Sequence, residues 1–365
     1  MSQNQCGCGG KGPLPEVTFS TFVLSLASAA LVHLGEVADP ETGQTGQQPE
    51  LARHSISMLE MLHEKTTKGL DEAQDAGEHP LRIAHEIRHQ MRPGQQIKER
   101  EMKIFKVGLV GVTGYTGMEL ARLLASHPRM KLEMACSRTE SGLRLGEFYP
   151  FLEGLPGSDV VISIFDAKEA ARRCDLVFLA VPHGKAMEMA GELLEAGTRV
   201  IDLSADFRLR DVNVYEDWYV PHTRRELLPE AVYGLPELYA AETAKARLVA
   251  NPGCYPSSAI LGLYAAFKHG LISPDNIDSK SGTSGAGRKP VVPSLFCEVY
   301  DTFRAYGLGK HRHTPEIEQE YSRAAGCDVR VSFNPHLVPM VRGILSTIYT
   351  TLRKPGTTLD EVHAA

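Results

Sequence analysis

The chain has 365 residues, 42% of them hydrophobic and 23% charged, with 33 Gly and 22 Pro. That length suits two or three domains of roughly 100–200 residues, and the ordinary composition excludes a wholly disordered, collagen-like or disulfide-scaffold chain. A formal charge of −6 gives no general attraction to nucleic acid or an anionic membrane. Residues 1–101, with 9 basic and 14 acidic side chains, carry most of it and so differ in character from the rest.

Residues 1–15 are Gly- and Gln-rich and predict a disordered start. A helical pattern then runs from Val17 to about Glu36, and the Gly, Pro and Gln between Asp39 and Pro49 make a loop. A second helix begins near Glu50, with Ile56, Leu59, Leu62 and Leu70 at helical spacing, and a third follows Pro80 and stops at Arg92-Pro93-Gly94. Residues 1–101 are thus expected to be a small acidic helical module appended before a natural start at Met102. The apolar run Phe19 to Leu34 is shorter than the roughly 20 residues of a membrane span and has only Lys11 as a basic flank. Neither membrane insertion nor a signal peptide is expected. Seven scattered cysteines suit a reducing compartment, and the expected location is cytoplasmic.

From Ile104 the texture becomes strand–helix alternation. IFKVGLVG, LEMACS, DLVFLAVP and TRVIDLSAD read as short buried strands, with helices at about 116–126, 168–173 and 185–195. This predicts an α/β fold with a parallel, Rossmann-type sheet over 102–252. Beyond residue 275 the longer strands VRVSFNPHLVP and GILSTIYTTLR predict a second, α+β domain over 253–365.

Several motifs carry chemistry. Gly111-Val-Thr113-Gly114-Tyr115-Thr116-Gly117 follows a strand and opens a helix, where glycines admit a pyrophosphate to a helix N-terminus; the alternative is a ligand-free Gly-rich turn. Ser137 and Arg138 end the second strand, where an acidic residue would select NAD and an Arg accommodates the 2′-phosphate of NADP; the alternative is a solvated pair. Cys254, in NPGCYPS, starts a helix whose N-terminus favours thiolate, against the commoner fate of a structural cysteine.

Lys310-His311-Arg312-His313-Thr314-Pro315-Glu316 places two histidines and an arginine before a helix start, as acid/base and anion-binding groups or as a basic surface cluster. Ser281 to Arg288, including Ser284 and Gly285, offers amides and hydroxyls to an anion. Ser204, Asp206 and Arg208 follow a strand, where α/β proteins contact ligands; a flexible loop is the alternative for both segments. His85-Glu86-Ile87-Arg88-His89 fits a zinc-peptidase pattern, but no third ligand is evident, so it reads as a solvated helix face and no metal is expected.

In this order GVTGYTG, FLAVPHG (178–184), DLSADFRL, YGLPE (233–237), NPGCYPS, SGTSGAGR and HRHTPEI resemble the N-acetyl-γ-glutamyl-phosphate reductases of arginine biosynthesis, relatives of aspartate-semialdehyde dehydrogenase, from about Lys103 onward. Residues 16–75 separately resemble a small uncharacterised bacterial helical domain. The resemblance implies an NADP(H)-binding Rossmann domain joined to a substrate and dimerisation domain, and a homo-oligomer, dimer or tetramer, when complete. It also implies reduction of a small-molecule acyl phosphate to a semialdehyde through a thioester on Cys254. His311 is then the first choice of general acid/base over His313, Pro182, Ser284 and Gly285 join the cofactor site, and Ser204, Asp206, Arg208, Arg312 and His313 face the substrate. A carrier-linked aminoadipyl phosphate or aspartyl phosphate are alternative substrates, and an inactive truncated reductase serving as an interaction module is an alternative of another class. Family members continue past GILSTIYTTLRKP, so a chain ending at Ala365 is expected to be truncated. Residues 102 onward, expressed alone, should be soluble and melt cooperatively; an insoluble or molten product would refute the appended-module reading.

Overall fold

A computed structural model describes residues 103–364 and, before them, 19–35 with isolated positions between 37 and 58. The chain divides into two units at Met102/Lys103. In the first, helix α1 (Phe19–Leu34) ends at Gly35, whose φ of 78° provides the left-handed stop. Most of the second expected helix, all of the third and the His85–His89 pattern lie outside the described residues. Among the described residues, no helix is long and apolar enough to cross a membrane.

The second unit opens with a seven-stranded sheet. Its strands are β1 (Phe105–Val110), β2 (Met130–Cys136), β3 (Ile162–Ser163), β4 (Leu176–Leu179), β5 (Arg199–Asp202), β6 (Val232–Tyr233) and β7 (Leu248–Ala250). Every pairing is parallel and the order is β3-β2-β1-β4-β5-β7-β6. Helices α2 (Tyr115–Ala125), α3 (Ala167–Arg173) and α4 (Ala186–Glu195) provide crossovers. The sheet is enclosed by two clusters, one holding Val107, Leu109, Ala121 and Ile162, the other Val177, Leu179, Leu193 and Val200. This two-sided burial explains the continuous apolar strands of the sequence. Strands β3, β6 and β7 have only two or three residues each, too few for a periodic signal.

Because all seven strands run the same way, their C-terminal ends share one edge. The Gly-rich turn after β1, Ser137 after β2, Pro182 after β4, Ser204 after β5 and Cys254 after β7 therefore gather there. Chain order reverses between β1 and β4, the place where such sheets open a ligand crevice.

Helix α5 (Val212–Trp218) and helix α6 (Pro236–Lys245) precede a second layer. There helices α7 (Cys254–Lys268) and α8 (Thr314–Ala325) pack against a mixed sheet of β8 (Ile272–Ser281), β9 (Arg304–Ala305), β10 (Ser332–Leu337) and β11 (Ile344–Leu352). Its order is β11-β8-β10-β9, with β8 and β10 parallel and the outer pairs antiparallel. Ile260, Phe267, Ile277, Tyr321 and Phe333 form the core between helices and sheet.

Gly117 shows how tightly α2 seats on β1: a Cβ there would lie 2.3 Å from the carbonyl oxygen of Gly111 and 2.7 Å from Cα of Val112. Both obstacles are backbone and cannot swing away. Gly117→Ala should cost about 1–3 kcal/mol of stability by overpacking, read as a lower midpoint in thermal or denaturant unfolding.

Candidate active site

Cys254 is the first residue of α7, behind Gly253 as N-cap. Gly253 accepts the N–H of Ser257, and Pro256 has none to give, so the Cys254 and Tyr255 N–H groups remain at the helix N-terminus. Cys254 is exposed to solvent. Desolvation by the surrounding protein pushes the thiol upward, while the Tyr255 amide and the Arg208 guanidinium pull it down. The expected lowering by the helix N-terminus is present but outweighed: desolvation of the charged form is the larger effect.

The histidines come from the segment entering α8. His311 lies edge-on to Tyr255 and His313, with ring centroids 5.4 and 4.9 Å apart, and also meets Phe333 at 5.2 Å. Its Nδ1 accepts the backbone N–H of His313 at 3.2 Å, which assigns the proton of the neutral ring to Nε2. Burial and the neighbouring Arg312 lower its pKa to about 4. His313, driven well below the usual histidine range by burial, has an Nδ1 with no partner. Its Nε2 would stand 2.6 Å from a Cβ on Gly253, so glycine leaves that ring its place beside the thiol-bearing turn.

Beneath them lies a charged pair. Glu316 is 1% exposed; its Oε1 accepts the Gly253 N–H and the Tyr233 hydroxyl, each at 2.8 Å, and its Oε2 faces Arg208 Nη1 at 3.4 Å. Arg208 also donates to the carbonyls of Asn251 and Leu203. One turn on, the buried Glu320 takes Arg210 and Tyr239, and Gln319 between them bonds the Arg210 N–H and the Arg208 carbonyl. Helix α8 is thereby fastened to segment 203–210 and to segment 233–239.

Three residues expected at the substrate are buried and bonded within the protein. Asp206 is fully buried and accepts from the N–H groups of Gly184 and Ala186 and from the Tyr215 hydroxyl. Ser204 is likewise buried, donates to Asp202 and accepts from the Asp206 N–H. Arg208 has its guanidinium held by protein. These three residues hold the loops after β4 and β5 in shape. Arg312, by contrast, is exposed, has no ion-pair partner among the described residues, and lies over the Tyr219 ring at 5.3 Å.

At the crevice, Gly111 has φ 88° and a Cβ there would strike the Ala180 carbonyl at 2.1 Å, so the turn after β1 and the loop bearing Pro182 run in contact. Pro182 itself is exposed. Gly114 differs: its φ is −78° and a Cβ would meet nothing closer than 3.6 Å. Packing does not require glycine there, whereas close approach of a phosphate does. Helix α2 has no side-chain cap and no acidic residue in its first turn, which leaves the amides of Tyr115, Thr116 and Gly117 for an anion. Thr113 and Ser137 share a hydrogen bond at 3.2 Å across the turn, and Arg138 beside them is exposed and without an ion-pair partner among the described residues. These groups fit a phosphorylated dinucleotide.

A cleft of about 690 Å³ separates Tyr115, Thr116 and Glu119 from Ser284, Gly285 and Phe296. The N–H groups of Gly282, Thr283 and Ser284 are taken by the carbonyls of Gly343, Met340 and Val341, so they are not the expected anion donors. Arg288 crosses the cleft and donates to the Thr113 carbonyl at 3.0 Å. Among the described residues no cluster of His, Cys, Asp or Glu could hold a metal.

Residues 106–246 match the model of the semialdehyde dehydrogenase NAD binding domain, and 254–365 that of the semialdehyde dehydrogenase dimerisation domain. The N-acetyl-gamma-glutamyl-phosphate reductase of Desulfotalea psychrophila is 52% identical over 252 residues, covering 68% of this chain and 72% of that one. That of Syntrophobacter fumaroxidans is also 52% identical, over 72% and 76%. The chain belongs to the N-acetyl-γ-glutamyl-phosphate reductase family.

Among solved structures, an aspartate semialdehyde dehydrogenase II from Vibrio cholerae (TM-score 0.50, 15% identity, 69% and 76% coverage) and the enzyme from Francisella tularensis (0.50, 14%, 72% and 79%) share the fold. Residues 16–77 match a domain of unknown function, DUF1844. The motifs read from the sequence thus identified the reductase family. They missed Glu316, Glu320, Tyr233 and Arg288, although Tyr233, Arg288 and Glu316 sit inside quoted motifs; what a helical glutamate faces becomes visible only in the packed structure.

Gly114→Ala should leave the unfolding midpoint nearly unchanged while weakening dinucleotide binding about tenfold, roughly 1.4 kcal/mol, measured by fluorescence titration. For His311, the unfolded ring takes up a proton near pH 6.5 and the folded one only near 4. Its contribution to stability is complete above pH 6.5 and is lost as pH falls toward 4; His311→Asn should flatten that part of the stability–pH curve.

Proposed function

We propose that the chain reduces N-acetyl-glutamyl 5-phosphate to the 5-semialdehyde, releasing phosphate through a thioester on Cys254, in arginine biosynthesis. The observation that carries this reading is an exposed thiol at a helix N-terminus beside two neutral histidines, in a chain 52% identical to reductases of that name. The proposed domains are a module at 1–101, a dinucleotide domain at 102–252 and a catalytic domain at 253–365.

The Cys254 thiol gives its proton to water, and the thiolate sulfur attacks the acyl carbon, forming a C–S bond as the C–O bond to phosphate breaks. The Cys254 and Tyr255 amides receive the negative charge that develops on the carbonyl oxygen. Gly111, Thr113, Gly114, Tyr115, Thr116, Gly117 and Pro182 would hold the dinucleotide, Ser284 and Gly285 would border it, and Ser137 with Arg138 favours NADPH over NADH. When bound, that cofactor supplies the hydride that takes the thioester to the aldehyde level. His311, with its proton on Nε2, donates to the carbonyl oxygen and takes the proton back as the C–S bond breaks and the aldehyde leaves. His313, with its unpartnered Nδ1, is the second choice for that role. Arg312 would bind a substrate anion.

Self-association is proposed through the face of the mixed sheet turned away from α7, where Leu345 is 65% and Tyr349 54% exposed. Such apolar exposure suits a contact between copies. Location in the cytoplasm accords with a free thiol as nucleophile.

Cys254→Ser should abolish phosphate-dependent NADP reduction by the semialdehyde, followed at the absorbance of NADPH; near wild-type turnover would remove the nucleophile assignment. His311→Asn should lower kcat by about 10²–10⁴, and a larger loss in His313→Asn would exchange the two roles. Comparing acetylglutamyl, aminoadipyl and aspartyl phosphates in the same assay decides the substrate.

A further inference from the structure

The geometry points to Glu316 as a positioning residue: its buried carboxylate sets the N-terminus of α7, and with it Cys254, against the histidine segment and offsets the Arg208 cation beside them. This inference rests on Cys254 as nucleophile. Glu316 lies three residues after His313 and on the same helix start, yet one of its oxygens is bonded to the N–H of the residue immediately before Cys254. A single side chain therefore spans the two chain segments that must cooperate. The Tyr233 hydroxyl on that same oxygen and Arg208 on the other leave the carboxylate little rotational freedom.

Nothing in the local chain requires this arrangement. The Gly253 N–H is buried and needs an acceptor, but a neutral one would serve, and a buried carboxylate is costly unless fully partnered. A polar link kept at such a cost within the reacting region is best explained by what it holds in register. Glu320, one turn away, repeats the pattern with Arg210 and Tyr239 but touches no residue adjacent to the thiol, and so serves as an internal comparison.

The charge matters as well as the length. Arg208, Glu316, Tyr255 and Tyr306 interact electrostatically with the thiol, Arg208 pulling its pKa down and Glu316 pushing it up. Both histidines nearby are held neutral. Removing the carboxylate charge frees the guanidinium to act on sulfur, whereas shortening the side chain keeps the charge and releases the Gly253 amide.

The test uses the full chain with Glu316→Asp, Glu316→Gln and Tyr233→Phe. Two readouts are taken: steady-state kinetics, and the pH dependence of Cys254 alkylation by iodoacetamide, followed by mass spectrometry of its peptide. Glu316→Asp should lower kcat about tenfold or more with little change in KM for NADPH and in the alkylation midpoint. Glu316→Gln should shift that midpoint down by about half a unit, roughly threefold more thiolate at low pH. Tyr233→Phe loosens the same oxygen with a minimal change of shape and should lower kcat in the same sense; it decides the matter where the Glu316 variants do not fold.

Lower melting temperatures with kcat and the alkylation midpoint unaltered would make Glu316 merely structural and overturn the proposal. Wild-type kcat in folded Tyr233→Phe and Glu316→Asp would do the same. Failure of the nucleophile reading shows separately, as turnover persisting in Cys254→Ser.

Discussion

The arrangement depends on one buried ion pair. Arg208 comes from the loop after β5 and Glu316 from the start of α8, 108 residues later; neither is stable in the interior without the other. Once paired, each has further obligations. Arg208 must reach the carbonyls of Leu203 and Asn251, and Glu316 must reach Gly253 and Tyr233. Those obligations bring together the ends of β5 and β7, the turn before Cys254 and the histidine segment. Glu320 and Gln319 extend the same fastening along the helix, which keeps α8 from rolling as well as from sliding.

Around this pair the parallel sheet divides the labour. The edge formed by its strand ends carries a dinucleotide-type turn on the β1 side and the thiol on the β7 side. Asp206 is the internal brace between them: it ties the loop after β4 to the loop after β5 through two amides and a tyrosine hydroxyl. A charged residue in a ligand-facing loop need not face a ligand. Here the charge of Asp206 shapes the wall, whereas Arg312 stays exposed over the Tyr219 ring.

The sequence made much of this legible because the chemistry requires unusual residues in short runs. Gly111 and Gly117 are dictated by backbone approach, Cys254 by its place at a helix start, and the strand–helix alternation by two-sided burial. The strands β3, β6 and β7 escaped because two or three residues carry no period. The internal partners of Ser204, Asp206 and Arg208 escaped for a related reason: polar residues after a strand suggest solvent or ligand, and their long-range partners appear only in the packed structure. The raised thiol follows the same lesson, since a helix terminus is visible in sequence whereas the desolvation opposing it is assembled from several distant segments.

Ser258, one turn into the helix that begins at Cys254, donates to Ser346 of β11 at 2.8 Å, and Ser346 meets Ser279 of β8 at 2.7 Å. Next to Ser346, Leu345 turns to the opposite, solvent-facing side. The strand is therefore a thin partition, with its inner surface bonded to the helix of the thiol and its outer surface open to contact. Ile348 of the same strand also packs toward Gly262 of that helix, so a partner seated on the outer surface would rest on the strand that supports the base of the reacting helix.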